Sequence, residues 1–144
     1  VYGSGDNARA KGWQLINNEI KNGSYANDGN WTGIFIQAAD SLLIANNDIH
    51  DIKSTWNGSP RGIGVLLFDC TDCVIENNYV HDNFFEGGSD KQGGLRTVWR
   101  RNVFKNIPNT ILRINNQGSN SDTMIYENAF ICPTTTQDFA IDLR

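Results

Sequence analysis

Apolar residues recur along the chain in one short phrase. It reads Leu15-Ile16-Asn17-Asn18-Glu19-Ile20, then Leu43-Ile44-Ala45-Asn46-Asn47-Asp48-Ile49, Val74-Ile75-Glu76-Asn77-Asn78-Tyr79-Val80, Val98-Trp99-Arg100-Arg101-Asn102-Val103-Phe104 and Met124-Ile125-Tyr126-Glu127-Asn128-Ala129-Phe130. Within each copy the apolar positions alternate, break at an Asn and resume, which is strand periodicity interrupted by a corner. A second apolar strand precedes several copies: Gly33-Ile34-Phe35-Ile36, Val65-Leu66-Leu67-Phe68, Ile111-Leu112-Arg113-Ile114 and the terminal Phe139-Ala140-Ile141. Polar turns such as Asp40-Ser41, Thr71-Asp72 and Ser121-Asp122 join it to the phrase. The fourth copy lacks a clear counterpart and carries Gly87-Gly88-Ser89-Asp90-Lys91-Gln92-Gly93-Gly94 instead.

The Asn recurs at 18, 47, 78, 102 and 128, at intervals of 29, 31, 24 and 26 residues. Such spacing suits stacked repeats whose loops vary while the rung stays fixed. The pattern predicts an all-β solenoid of about five rungs, because no single rung could bury its apolar residues alone. Ile16, Ile44, Ile75, Trp99 and Ile125 are expected in one interior column, and Ile20, Ile49, Val80, Phe104 and Phe130 in another. The Asn column is expected to form a hydrogen-bonded ladder at the corner, where Asn tolerates a left-handed backbone.

Through phrases such as Cys73-Val74-Ile75-Glu76-Asn77-Asn78-Tyr79-Val80-His81-Asp82-Asn83, the chain resembles the right-handed parallel β-helix repeat family, the pectin-lyase-like superfamily. The resemblance covers roughly residues 13 to 131. It implies a right-handed parallel β-helix and an extracellular or cell-surface setting. Members are commonly polysaccharide lyases, hydrolases and epimerases, with phage tail spikes and adhesins as relatives. The ends of a β-helix expose unpaired backbone groups. The expectation is therefore a single β-helix domain over residues 1–144 that forms a segment of a longer helix or has its ends covered by another chain, in an oligomer for example.

Composition narrows the partners. Twelve Lys and Arg against 16 Asp and Glu give a net charge of -4, which argues against a general nucleic-acid or anionic-membrane binder. No apolar run approaches the ~18 residues that span a bilayer. Cys70, Cys73 and Cys132 make neither a dense disulfide framework nor a four-ligand metal set, and read as packed thiols.

Candidate chemistry lies just after the second interior column. Lys21, His50, His81, Lys105 and Ile131 would share one outer line, spaced by the interstrand distance of about 4.8 Å. Such a line could hold the carboxylates of a uronic-acid polymer, with neighbouring cations lowering Lys or His pKa values toward general-base work. The bland alternative is that His50-Asp51 and His81-Asp82 are solvent-facing rung endings. Nearby loops carry Tyr25, Trp31, Trp56, Phe84 and Phe85, rings that either stack on sugars or fold back over the sheet. Elimination from a uronate needs a neutralised carboxylate and a base beside the acidic proton. His81, Lys105 and Arg113 are the leading catalytic candidates, with Lys21, His50, Trp31, Trp56, Phe84, Phe85, Lys91 and Arg96 as substrate contacts.

The resemblance to pectate-lyase-like enzymes implies Arg or Lys bases and often Ca²⁺, yet Asp69, Asp72 and Glu86 form no calcium signature and the matching arginine motif is absent. The Asp motifs of polygalacturonase-like hydrolases are absent too. Two readings stay open: a lyase acting on an acidic polysaccharide, and a non-catalytic glycan-binding or structural module of an adhesin, spike or filament.

Overall fold

The computed structural model describes residues 9–26, 31–115, 122–132 and 140–143. The side chains of Tyr25 and Trp56, the turn residue Ser121 and the strand residue Phe139 lie outside what it describes. The chain is a right-handed parallel β-helix whose rungs have three faces. A long face stacks Ala10–Lys11, Thr32–Asp40, Ile63–Thr71, Glu86–Lys91, Leu112–Asn115 and Ile141–Leu143 in parallel. A second face stacks Gln14–Ile16, Leu43–Ala45, Val74–Glu76, Val98–Arg100 and Met124–Tyr126. A third stacks Glu19–Lys21, Asp48–His50, Tyr79–His81, Val103–Lys105 and Ala129–Ile131.

Three-residue strands can turn sharply only if the corners adopt an unusual backbone, and the first four rungs each supply one left-handed residue at each of these corners. Gly12, Ser41, Asp72, Arg96 and Asp122 turn the long face into the second, and Asn17, Asn46, Asn77, Arg101 and Glu127 turn the second into the third. Asn22, Asp51, Asp82 and Asn106 leave the third face, all with φ between 52° and 59°. The left-handed residue is therefore the one before the recurrent Asn. The expectation that the ladder Asn itself takes that backbone is corrected: its side chain makes the ladder and its predecessor makes the bend.

The ladder is continuous. Asn47 donates from both backbone N and Nδ2 to Asn78 Oδ1 at 3.0 and 2.9 Å, and Asn78 does the same to Asn102 Oδ1. Asn18 and Asn102 extend the pattern to Asn47 and Asn128. Each Nδ2 of Asn47, Asn78, Asn102 and Asn128 also donates to a carbonyl of the preceding rung, so amides inside the turn are satisfied without water.

Inside, the second expected column is present: Ile20, Ile49, Val80, Phe104 and Phe130 stand in register, and the rings of Phe104 and Phe130 stack at 5.6 Å. The first differs by one residue. Leu15, not Ile16, pairs with Ile44 and so heads the column Ile44, Ile75, Trp99, Ile125. The corner Asn sets this register, since Leu15 and Ile44 each lie three residues before their ladder Asn.

The fourth rung does possess a long-face strand. Glu86–Lys91 pairs with Ile63–Phe68 on one side and Leu112–Asn115 on the other. It has little inward apolar bulk because the opposite faces supply it. A Cβ on Gly88 would come within 2.7 Å of the Trp99 ring, and one on Gly87 within 2.7 Å of Phe104. Two large aromatics therefore stand against two glycines, which conserves core volume across the rung.

Candidate functional site

The corner that leads from the third face back to the long face is where the rungs differ. The second rung projects a hairpin, Lys53–Trp56 paired with Ser59–Pro60, closed by Asn57 and Gly58 at φ 47° and 78°; Asn-Gly is the pair that such a two-residue turn favours. The third rung crosses the same corner in four residues and places Phe84 and Phe85 there, its backbone tied to Ile52 and Gly62. The fourth contributes Pro108 and Asn109. A groove of about 310 Å³ results, lined by Ser59, Pro60, Arg61, Phe84, Phe85, Pro108 and Asn109.

Its electrostatics come from arginine. The guanidinium of Arg61 lies 5.0 Å from the centre of the Phe85 ring and that of Arg113 lies 6.0 Å away. Arg113, on the outer side of the long face, is neutralised: it pairs with the fully buried Glu86 at 2.5 Å and donates to Asp142 at 3.2 Å. Burial pushes the Glu86 carboxyl up from its ordinary pKa, with Arg113 and Lys91 opposing. Burial, reinforced by Arg113 and Arg61, pulls Lys91 down against the attraction of Glu86. Arg61 makes no ion pair among the described residues, so its charge is available to the groove. Phe84 is 38% exposed, with Lys53 Nζ 5.7 Å from its ring centre.

Next to the groove runs the outer line of the third face. Lys21, His50, His81, Lys105 and Ile131 are in register as expected, and the two imidazoles stack at 4.7 Å with planes 10° apart. The line is not a bare cationic stripe, because carboxylates flank it on both sides. His81 Nδ1 is 2.6 Å from Asp82 and its Nε2 is 2.9 Å from Asp48. His50 Nδ1 is 2.8 Å from Asp51 and its Nε2 is 3.4 Å from Glu19, while Lys21 reaches Glu19 at 2.8 Å. The hydrogen bond with Asp51 raises the His50 pKa, against some loss from burial and with help from Glu19. That reverses the lowering expected from neighbouring cations. Asp51 falls to about 2, chiefly through its hydrogen bond from Lys53 and then through His50.

The structure brings some of the predicted residues together and separates others. His81 and Lys105 are neighbours on adjacent rungs of the third face, whereas Arg113 belongs to the long face, so these three do not share a site. Phe84 and Phe85 line the groove, and Lys91 stands with Arg113 outside the long face. Trp31 is 40% exposed and its indole crosses Gly23, where an added Cβ would meet Nε1 at 2.8 Å. Arg96 sits at a different corner, bidentate on Asp72 at 2.6 and 2.7 Å. Asp69, Asp72 and Glu86, which form no calcium signature in the sequence, are each held by an arginine, Asp69 by Arg9, Asp72 by Arg96 and Glu86 by Arg113, an arrangement that does not suit Ca²⁺. Cys70 and Cys73 are buried free thiols, but Cys132, expected to be packed, is exposed. Sequence reasoning missed Arg61 and Asn109, although Pro60-Arg61-Gly62 directly after an Asn-Gly turn marks the end of a hairpin beside the aromatics.

Among known protein families, the model of the right-handed β-helix region matches residues 2–130. Comparisons with curated proteins and with solved structures each give no match.

Proposed function

The chain belongs to the right-handed β-helix family, and we propose that its groove recognises an acidic glycan. The observation that carries this reading is Arg61 held against Phe85 in a groove that Phe84, Ser59, Pro60, Pro108 and Asn109 also line. An aromatic ring binds the apolar face of a sugar, a guanidinium forms two parallel hydrogen bonds with a carboxylate, and short polar side chains fix hydroxyl groups. The groove volume of about 310 Å³ is at the lower end for small-molecule sites, which suits one or two sugar units of a longer chain rather than an enclosed ligand. On this reading the partner is a uronic-acid polysaccharide met outside the cell or at its surface.

A second reading, uronate β-elimination, draws support from Lys91. Burial lowers its pKa, and Arg113 and Arg61 add to the effect against Glu86; a shift in that direction favours the neutral amine that a base requires, while an arginine balances the substrate carboxylate. His81 is less suited to that role, since both of its ring nitrogens face carboxylates.

Titration calorimetry with oligomers of galacturonate, alginate, hyaluronan and chondroitin tests the proposal, with neutral oligosaccharides of equal length as controls. Binding is expected for at least one acidic oligomer, weakened about tenfold or more by Arg61→Ala, a loss of roughly 1.4 kcal/mol. Equal affinity for neutral oligomers, or an unchanged affinity in Arg61→Ala, would contradict it. Absorbance of the unsaturated uronate product in the same samples separates the readings: a rise that Lys91→Ala abolishes establishes elimination.

A further inference from the structure

The histidine pair on the third face has a geometry that ion pairing alone does not require. Both rings have the same orientation. Nδ1 of His50 and His81 faces the corner aspartates Asp51 and Asp82, at 2.8 and 2.6 Å. Nε2 of both faces the opposite side, toward Glu19 and Asp48. A carboxylate on Nδ1 fixes the tautomer that leaves Nε2 free to ligate, and it raises the basicity of that nitrogen. Metal-binding histidines are almost always supported in this way.

We propose that Asp48, His50 and His81 form a binding site for a first-row transition-metal dication of the Zn²⁺ class, with Glu19 as a further oxygen ligand. One ligand atom from each of Asp48, His50 and His81 lies within 4.8 Å of the others, and His81 Nε2 and Asp48 Oδ1 are already 2.9 Å apart. Ligands of a tetrahedral ion with bonds of about 2.0–2.2 Å stand roughly 3.3–3.6 Å apart. The widest pair therefore has to close by little more than an ångström. Rotation about the histidine side-chain bonds supplies that movement without shifting the strands. Two imidazoles with carboxylates form a borderline donor set that suits Zn²⁺, Co²⁺ or Ni²⁺, whereas Ca²⁺ and Mg²⁺ favour all-oxygen cages. The site is a product of stacking, since Asp48 and His50 come from one rung, His81 from the next and Glu19 from the one before. A bound ion would cross-link three rungs.

The test uses the full chain without an affinity tag, in a Cys132→Ser background because that thiol is exposed and would bind Zn²⁺ itself. Zn²⁺ binding is measured by competition with a chromophoric chelator at fixed pH, and Co²⁺ is added to read the visible ligand-field bands. One Zn²⁺ per chain is expected, with a melting temperature that rises with free Zn²⁺ and does not respond to Ca²⁺. His50→Ala and His81→Ala should each weaken binding at least tenfold. The near-isosteric Asp48→Asn should do the same while leaving the circular dichroism unchanged, which covers the case in which an alanine variant fails to fold. Asp82→Asn, which touches no metal, should cost about 10–100-fold through its hold on His81. Failure of the parent chain to bind Zn²⁺ overturns the proposal, and so does unaltered stoichiometry and affinity in His50→Ala/His81→Ala.

Discussion

Replacing Asn78 by Ala tests the energetics of the ladder at its centre. The side chain is 1% exposed. Its Oδ1 accepts from Asn47 N at 3.0 Å and Asn47 Nδ2 at 2.9 Å, and its Nδ2 donates to Ile44 O and Asn102 Oδ1. After truncation Asn102 Oδ1 still receives the Asn78 backbone N–H, and Asn47 Nδ2 still reaches Leu15 O at 2.9 Å. Two groups lose these partners: the backbone N–H of Asn47 and the carbonyl of Ile44. At about 1–3 kcal/mol for each buried group left unpaired, the loss comes to about 2–6 kcal/mol, of which the N–H carries the larger share. For a chain of this length that lowers the melting temperature by on the order of 10 °C. Asn18→Ala is the control. Asn18 is exposed and heads the ladder, so its loss should cost under about 1 kcal/mol. Urea titrations of both variants followed by far-ultraviolet circular dichroism measure the contrast. Equal losses at the two positions, or a loss under 1 kcal/mol at Asn78, would refute the view that the ladder satisfies the corner amides.

Three further outcomes follow from the same geometry. Asp90 is fully buried in the interior, holds the Thr97 hydroxyl at 2.5 Å and has a pKa pushed up to about 6 by burial. A carboxyl whose folded pKa lies above its unfolded value favours the fold while protonated and loses that contribution as pH rises from about 4 to 6. Asp90→Asn should therefore gain on the order of 1–3 kcal/mol over the parent at pH 8 and nothing at pH 4, read from paired melts. Gly64→Ala would bring a Cβ within 2.5 Å of Gly87 O and 2.6 Å of Val80, so a loss of about 1–3 kcal/mol is expected in chemical denaturation. Arg101 occupies the left-handed corner position that Asn fills in the first three rungs, with φ at 55°. Arg101→Asn should relieve about 1 kcal/mol of backbone strain, less the small contribution of an exposed ion pair with Glu127, and raise the melting temperature.

Much of this fold was legible because the corner imposes a repeated demand. A ladder Asn three residues after one inward residue and two before another marks each rung, and it survives loops of any length. The slip in the first interior column, Ile16 for Leu15, arose where two apolar residues adjoin and alternation alone cannot choose between them. The strand Glu86–Lys91 was hidden for a different reason. Periodicity registers apolar bulk on the strand itself, whereas here the bulk is carried across the rung by Trp99 and Phe104. The site was legible only in part. His50 and His81 could be aligned from the repeat, and Asp48, two residues before His50, lay within reach of the same alignment. The facing of His81 toward Asp48 depends on side-chain direction, which the repeat does not encode. Arg61 escaped because it follows a hairpin unique to one rung, and a reading built on repeats is blind to what occurs once.

The measurement that bears most directly on the central claim is a nuclear magnetic resonance titration of the isotope-labelled chain with an acidic oligosaccharide. The account predicts shifts that saturate and centre on Ser59 to Arg61, Phe84, Phe85 and Asn109, and that need about tenfold more ligand or beyond to saturate in Arg61→Ala. Saturating shifts centred on another face of the helix, with the groove residues unmoved, would contradict it.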